Sequence, residues 1–540
     1  MDDPFPGAPF APSSANRPAS IDRRRLLQLA AAGAATLWLP RSAWSQPRIA
    51  GDPFTLGVAS GSPTHDSVVL WTRLHPQGLF GSSLGLDPVT VRWEIAQDEK
   101  FSRIVQKGQS IAAAALAHSV HVEVPGLEPD RWYYYRFMVG NAESPVGRTR
   151  TFPAPGAEAS RLRVAYASCQ RWEHGYFSAY RHMRQDDPDV VLFLGDYIYE
   201  YPNAKNAVRV PTGGWVRTLD DYRRRYALHK SDGDLQAMHA ACPWLVTWDD
   251  HEVQNDYAGQ KEGNSGAPVA SFAALRAAAY QAYYEHMPLR SAVLTRALDG
   301  LAKGAELRIH STVRFGTLAS FYLLDDRQYR APQACTRDGR SGSSTMDPAQ
   351  CAEWADPERT LLGPAQERWL DDAFAHGSAG WNIVGQQTLF GQREFRSGPV
   401  RSLWNDGWDG YPAARARMLA SMRKNMLANP VVLGGDVHQN WVGHVKADYA
   451  DPRSPSIGVE FCGTSISSRA DEGQVPSQLA RNPHFVFADS ERRGYGIVEL
   501  TPKRLTTSLR VVSDVTLRDA TIETLAKFSV EAGRSAIVAE

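Results

Sequence analysis

The run Val190, Val191, Leu192, Phe193, Leu194 stops at Gly195-Asp196, and this ending constrains the fold more than any other feature of the chain. Five consecutive apolar residues without polar alternation read as a strand buried on both faces, so a layer must cover each side of it. In open α/β sheets ligands sit beyond the carboxyl ends of the strands. Asp196, following a conformationally permissive glycine, is therefore placed for chemistry. Tyr199 lies three residues further on, and one turn of chain brings its phenol to the side of the carboxylate. Taken alone, a Gly-Asp pair after a strand is more often a turn or a helix cap.

Other runs end in the same way. The segments 162–167, 244–248, 318–324, 381–384 and 431–433 are short, apolar and separated by helical or loop-like stretches, which is an α/β pattern. Three of these endings add further metal-binding side chains: Ser168-Cys169-Gln170, Asp249-Asp250-His251-Glu252 and Gly434-Gly435-Asp436-Val437-His438. A polynuclear site needs convergent ligands on a rigid scaffold, because metals ~3.5–4 Å apart repel one another. Each residue has a plainer reading: Cys169 as a buried small hydrophobe, Tyr199 as aromatic packing, Asp436 and His438 as a cap and a turn. Jointly these require four coincidences.

The chain has 540 residues, too many for one ordinary core. Residues 1–45 read as a twin-arginine export signal: Arg23-Arg24-Arg25, a short apolar stretch, then Ala43-Trp44-Ser45 as a cleavage site before Gln46. The alternative is a basic arm ahead of a core helix. Residues 46–151 read as a small all-β domain, in which PGLEPDRWYYYRF resembles the turn and tyrosine-rich strand of a fibronectin III-like sandwich. Its expected role is packing beside the second domain. A Pro/Ala/Gly-rich linker is expected over 152–160, with a second, α/β domain over 161–540. Within it, FAALRAAAYQAYYEHMPLR reads as a helix, and near-helical spacing of Ile522, Leu525, Phe528 and Val530 points to a C-terminal helix, packed at the end of the chain or lying over the site as a lid. Cys335 and Cys351 are expected to staple the polar loop between them.

Lys and Arg total 59, as do Asp and Glu, so no global field points to nucleic acid as a specific partner or to an anionic membrane. No apolar run after the signal is long enough for stable membrane insertion. The mature protein is expected to be periplasmic or secreted.

The motifs SCQ, GDYIYEY, TWDDHEVQND and GGDVHQNW, in that order, resemble the PhoD-like alkaline phosphatases and phosphodiesterases of the calcineurin-like metallophosphatase superfamily. Asp326-Arg327-Gln328-Tyr329 and Trp408-Asp409-Gly410-Tyr411 support the match. The resemblance implies an α/β fold, a metallophosphatase-type two-sheet sandwich flanked by helices and preceded by the small all-β domain. It implies that Cys169, Asp196 and Tyr199 bind Fe(3+), with Asp196 bridging to Ca(2+), and that Asp250, Asp436 and His438 complete the metal site. Asn255 is an alternative to Asp250 for the amide position of the wider superfamily. Cys169 and Asp436 depart from that superfamily, which argues against a generic zinc or manganese pair. Thiolate and phenolate suit a trivalent ion, and carboxylate oxygen suits calcium.

The activity implied is hydrolysis of a phosphate ester substrate by in-line attack of a metal-activated oxygen. His251 is a candidate for orienting the phosphoryl group or protonating the leaving oxygen, against a supporting role behind the ligands. Arg171 is a candidate phosphate partner, against a surface ion pair. Three functions follow: an exported phosphomonoesterase with phosphodiesterase activity that scavenges phosphate, a dedicated diesterase of phospholipase D type, or a secreted binding protein with structural metals.

Overall fold

The computed structural model describes residues 51–76, 84–210, 213–294, 306–336, 341–396, 400–451, 453–469 and 475–540. The expected export signal lies outside them. The opening run is the strand Val190–Leu194, buried throughout. It pairs in parallel with Leu162–Ala167 on one side and Trp244–Thr247 on the other, inside a ten-stranded mixed sheet. Its side chains alternate between two cores. Val191 and Phe193 join the core under the helices, whereas Val190, Leu192 and Leu194 face a second sheet. That alternation explains a fully apolar strand: each face meets its own apolar layer.

The second sheet has seven strands, with a parallel centre of Ala319–Leu323, Trp381–Gly385, Pro430–Gly434 and Ser456–Cys462. Phe321, Ile383, Leu433 and Phe461 fill the space between the sheets. Helices Gly363–Ala375 and Pro412–Lys424 cover its outer face through Leu370, Phe374, Met418 and Met422. Helices Ser178–Gln185, Leu219–Lys230, Gly233–His239 and Phe272–His286 cover the first sheet. Leu219–Lys230 starts at a capping box, in which Asp221 N–H donates to Thr218 Oγ1 at 3.2 Å and Thr218 N–H to Asp221 Oδ2 at 2.9 Å.

The C-terminal helix expected from spacing is instead the strand Ile522–Glu531, antiparallel to Arg504–Val512. Phe528 and Val530, two residues apart, both enter the inter-sheet core, so the strand period governs here. The hairpin partner supplies backbone hydrogen bonds that an isolated helical pattern cannot outweigh. The strand lies near the sheet edge, separated from Leu162–Ala167 by two others. It does not form a lid.

The N-terminal all-β region is divided between two sheets. Val58–Gly61, Val68–Arg73 and Ser119–Val124 extend the ten-stranded sheet through a single parallel bridge, Gly61 to Trp244. Val89–Ala96, Ile104–Ala112 and Trp132–Val139, with Ala142–Glu143 and Gly147–Arg150, form a sheet of five, and Tyr133, Tyr135 and Phe137 fill the core between. Glu128 N–H donates to the Tyr133 hydroxyl at 2.9 Å, the tie of a tyrosine corner. Side chains lock this region onto helix Phe272–His286: Trp71 Nε1 donates to Glu285 O at 3.1 Å, and His121 Nε2 lies 2.9 Å from Tyr284 O. Cys335 and Cys351 are disulfide-bonded, with their Cα atoms 6.0 Å apart.

Candidate metal centre

Parallel pairing delivers the strand ends to one edge of the sandwich. Cys169 N–H donates to Gly195 O at 3.1 Å, so the first two endings are tied together. Gln387 Nε2 links the sheets by donating to Trp248 O at 2.8 Å and Leu324 O at 3.0 Å. Two glycines allow the close approach. A Cβ on Gly195, at φ 104°, would fall 2.5 Å from Asp249 Cβ, and one on Gly435 would fall 2.3 Å from Ser168 Oγ. Cys169, Asp196, Asp436 and His438 have φ of 59°, 57°, 64° and 56°. Such left-handed backbone costs about 1–3 kcal/mol per residue outside glycine and persists where the surroundings over-determine it, typically at functional sites.

Ligand atoms of Cys169, Asp196 and His438 all lie within 4.8 Å of one another, as do those of Asp196, Asp250 and His251. Asp196 belongs to both groups. The Tyr199 hydroxyl donates to Asp196 Oδ2 at 2.9 Å and lies 3.3 Å from His438 Nε2, as the three-residue spacing predicts. Asp436 shares the cavity, whose volume is about 810 Å³. Arg171 and Asn255 also line it. Arg171 is 3% exposed, with its guanidinium carbon 4.0 Å from the Tyr199 ring centroid and 4.5 Å from that of Tyr201. It is therefore not a surface ion pair.

The electrostatics favour a bound cation. Burial, reinforced by Asp196, pushes the Cys169 thiol well up, and burial together with Asp196 does the same to Tyr199. Without a metal both remain protonated. Burial raises Asp436 to about 7 and Asp249 to about 8, and raises Asp196 well above the carboxylate range. Burial alone would also raise Asp250, but Arg327 and His251 overcome it and hold it at about 2. Burial lowers His438 to about 3, and its Nδ1 donates to Arg469 O at 2.8 Å, leaving Nε2 with a free lone pair. Burial opposes charge on His251 too, yet Asp196, Asp250 and Glu200 raise it well above an ordinary histidine. Asp196 Oδ1, Asp249 Oδ2 and Asp436 Oδ2 are buried without a hydrogen-bond partner. Orphaned carboxylate oxygens beside a neutral imidazole and a thiol fit metal ions.

Several residues escaped sequence reasoning. Glu252, in an ending read as metal-binding, clamps backbone instead: its Oε2 accepts from Asp196 N–H at 3.1 Å and Asp249 N–H at 2.7 Å. Glu200 holds His251 Nδ1 at 2.7 Å and Asn255 N–H at 2.8 Å. Arg327, within a motif already noted, pairs with Asp249, with Asp406 at 2.8 Å and with Asp250 at 3.6 Å, offsetting the acidic cluster. Asp256 and Asp406 join Asp250 in a third acidic group, where Arg330 also pairs with Asp406 at 2.8 Å. A charged residue directly after Asn255 was a legible signal for Asp256; Asp406 sits in an Asn-Asp-Gly turn with none.

Two facing sheets whose strand ends gather thiol, carboxylate and imidazole within ligand reach of one another, with a phenol beside them and a cavity over them, have the architecture of a metal-dependent phosphoesterase. The chain belongs to the PhoD-like phosphatase family: the family model matches residues 164–509, and that of the PhoD-like phosphatase N-terminal domain matches 41–153. Alkaline phosphatase D of Bacillus subtilis (strain 168) is 46% identical over 496 residues, covering 89% of this chain and 81% of that protein. A solved structure of PhoD superposes with TM-score 0.85 at 44% identity, covering 91% of this chain and 93% of that one. The protein is a phosphoric ester hydrolase, which sets aside the binding-protein reading.

Proposed function

We propose that Cys169, Asp196, Tyr199, Asp250, Asp436 and His438 hold Fe(3+) together with Ca(2+), and that the enzyme is exported to scavenge phosphate from phosphomonoesters, with activity on diesters. The observation that carries this reading is the double membership of Asp196, within reach of a thiol and an imidazole on one side and of Asp250 and His251 on the other. Bound ions of this charge neutralise phosphate oxygens and bring the pKa of water down from ~15.7 towards neutrality.

The chain's own groups complete the chemistry. Arg171 donates to Tyr201 O at 3.2 Å and pairs with no carboxylate among the described residues, so its charge is available to phosphate oxygens. His251, oriented by Glu200 at 2.7 Å, lines the cavity and can deliver a proton to the leaving oxygen. Asn255, fixed through its backbone by Glu200, lines the same cavity, which supports a role in hydrogen-bonding the substrate.

Elemental analysis and the visible spectrum of protein purified without chelator test the metal assignment. A broad purple band with about one iron per chain is expected from thiolate or phenolate on Fe(3+). A colourless protein holding only zinc or manganese would sink it. The breadth of the cavity, with Tyr201, Phe395 and Trp404 on its walls, also favours diesters. Parallel assays on p-nitrophenyl phosphate and bis-p-nitrophenyl phosphate rank the two activities. Export through the twin-arginine machinery rests on Arg23-Arg24 and the cleavage site before Gln46; replacing both arginines by lysine should retain the protein in the cytoplasm.

A further inference from the structure

Arg393 lines the catalytic cavity and is 6% exposed. Its Nη1 donates to Gln439 Oε1, a neutral acceptor, at 3.1 Å, and its guanidinium carbon lies 4.6 Å from the Phe395 ring centroid and 5.5 Å from that of Trp441. Its Nε is buried without a partner, and among the described residues no carboxylate pairs with it. Asp409, the first acidic group to influence it, is engaged elsewhere: it accepts the Arg393 backbone N–H at 2.8 Å and pairs with Arg415 at 2.7 Å. Arg327, Arg330 and Arg415, similarly buried, are each compensated by an aspartate. A buried guanidinium with no carboxylate partner among the described residues costs free energy that an arriving anion offsets, and its planar fork matches a phosphate.

Arg393 stands apart from Arg171. Arg171 packs on Tyr199, beside Asp196 and His251, whereas Arg393 contacts the residue after His438 and the aromatic wall. That wall contains Phe395, Trp404 and Thr345, the last two belonging to the small pair of strands Thr345–Met346 and Leu403–Trp404. This pair lies outside both large sheets, and the Cys335–Cys351 bridge closes the loop that carries Thr345.

We infer that Arg393 is the centre of a second anion subsite, and that the favoured substrates carry a second phosphoryl group beyond the scissile one, with Phe395 and Trp404 flanking the intervening organic part. The inference rests on placing the scissile phosphate at the Asp196 cluster. A matched pair of probes tests it: adenosine 5′-phosphate and adenosine 3′,5′-bisphosphate, assayed by phosphate release with metal-loaded wild type, Arg393→Gln and Arg393→Lys. Wild type should show the lower KM for the bisphosphate. Arg393→Gln should raise that KM by about tenfold more than it raises the KM for the monophosphate, with Arg393→Lys in between. Equal losses on both probes, or no change on either, would overturn the subsite, and a parallel fall in metal content or melting temperature would assign Arg393 to the fold. A wild type that hydrolyses neither probe, while holding its metals, would overturn the placement of the scissile phosphate as well.

Discussion

Among single residues, the shared position of Asp196 and the contacts of Tyr199 and Cys169 give separable expectations. Under the proposed metal assignment, Cys169→Ala and Tyr199→Phe each remove a group that burial keeps protonated without a cation and that a bound cation would turn into an anionic ligand. Both variants should fold normally by circular dichroism and lose at least ~100-fold in turnover together with the visible band. Near-wild-type turnover in either would remove that residue from the metal. Gly195→Ala tests the scaffold. Its Cβ would collide with Asp249 in a backbone conformation that L-residues disfavour, so a loss of about 2–4 kcal/mol in a denaturant titration is expected. The proposed ligands were legible, because each lies two to five residues beyond a recognisable buried strand. Arg327 and Glu252 were not: their work is done across the sheets or on backbone amides, and nothing in their immediate sequence reports either partner.

Among elements, the segment after residue 502 changes meaning once its partners are known. Ile522–Glu531 and Arg504–Val512 complete one flank of the large sheet and contribute Leu505, Leu509, Phe528 and Val530 to the inter-sheet core. Truncation after Pro502 should therefore yield insoluble or unfolded protein; soluble, fully active protein would contradict the strand assignment. The bridge from Cys335 to Cys351 spans 16 residues, a loop for which chain-entropy arguments give about 3 kcal/mol. Because Ser343 N–H donates to Asp256 Oδ2 at 2.9 Å on the cavity wall, the double substitution to serine should lower the melting temperature and raise KM more than it lowers turnover. Equal KM values would show that the wall holds without the bridge.

For the whole molecule, the acidic centre links metal binding, pH and stability. Burial raises Asp249 to about 8 and Glu252, Asp256 and Asp436 to about 7, above ordinary values of 3.8 to 4.5. Above about pH 6.5 the buried histidines that burial depresses, His438 among them, are neutral in both states, and there the folded state binds more protons than the unfolded state, so stability of the metal-stripped protein falls as pH rises towards 8. Asp250, at about 2, is ionised in both states across that window and leaves the trend intact. Denaturation midpoints of chelated protein should decline from about pH 6.5 to 8 while the metal-loaded protein holds steady; a flat chelated profile would refute the linkage. Hydrophobic alternation, turn residues and adjacent ligands are local, so the sequence by itself determined an α/β catalytic domain, an all-β region before it and the set of side chains that meet at the centre. Only the tertiary structure decided that the all-β region joins the catalytic sheet at Gly61 and Trp244, that the last apolar segment is a strand, and that the Arg327 guanidinium meets aspartates where that of Arg393 meets none among the described residues. Each of those outcomes depends on hydrogen-bond and charge partners distant along the chain, and a local pattern carries no information about which distant group will arrive.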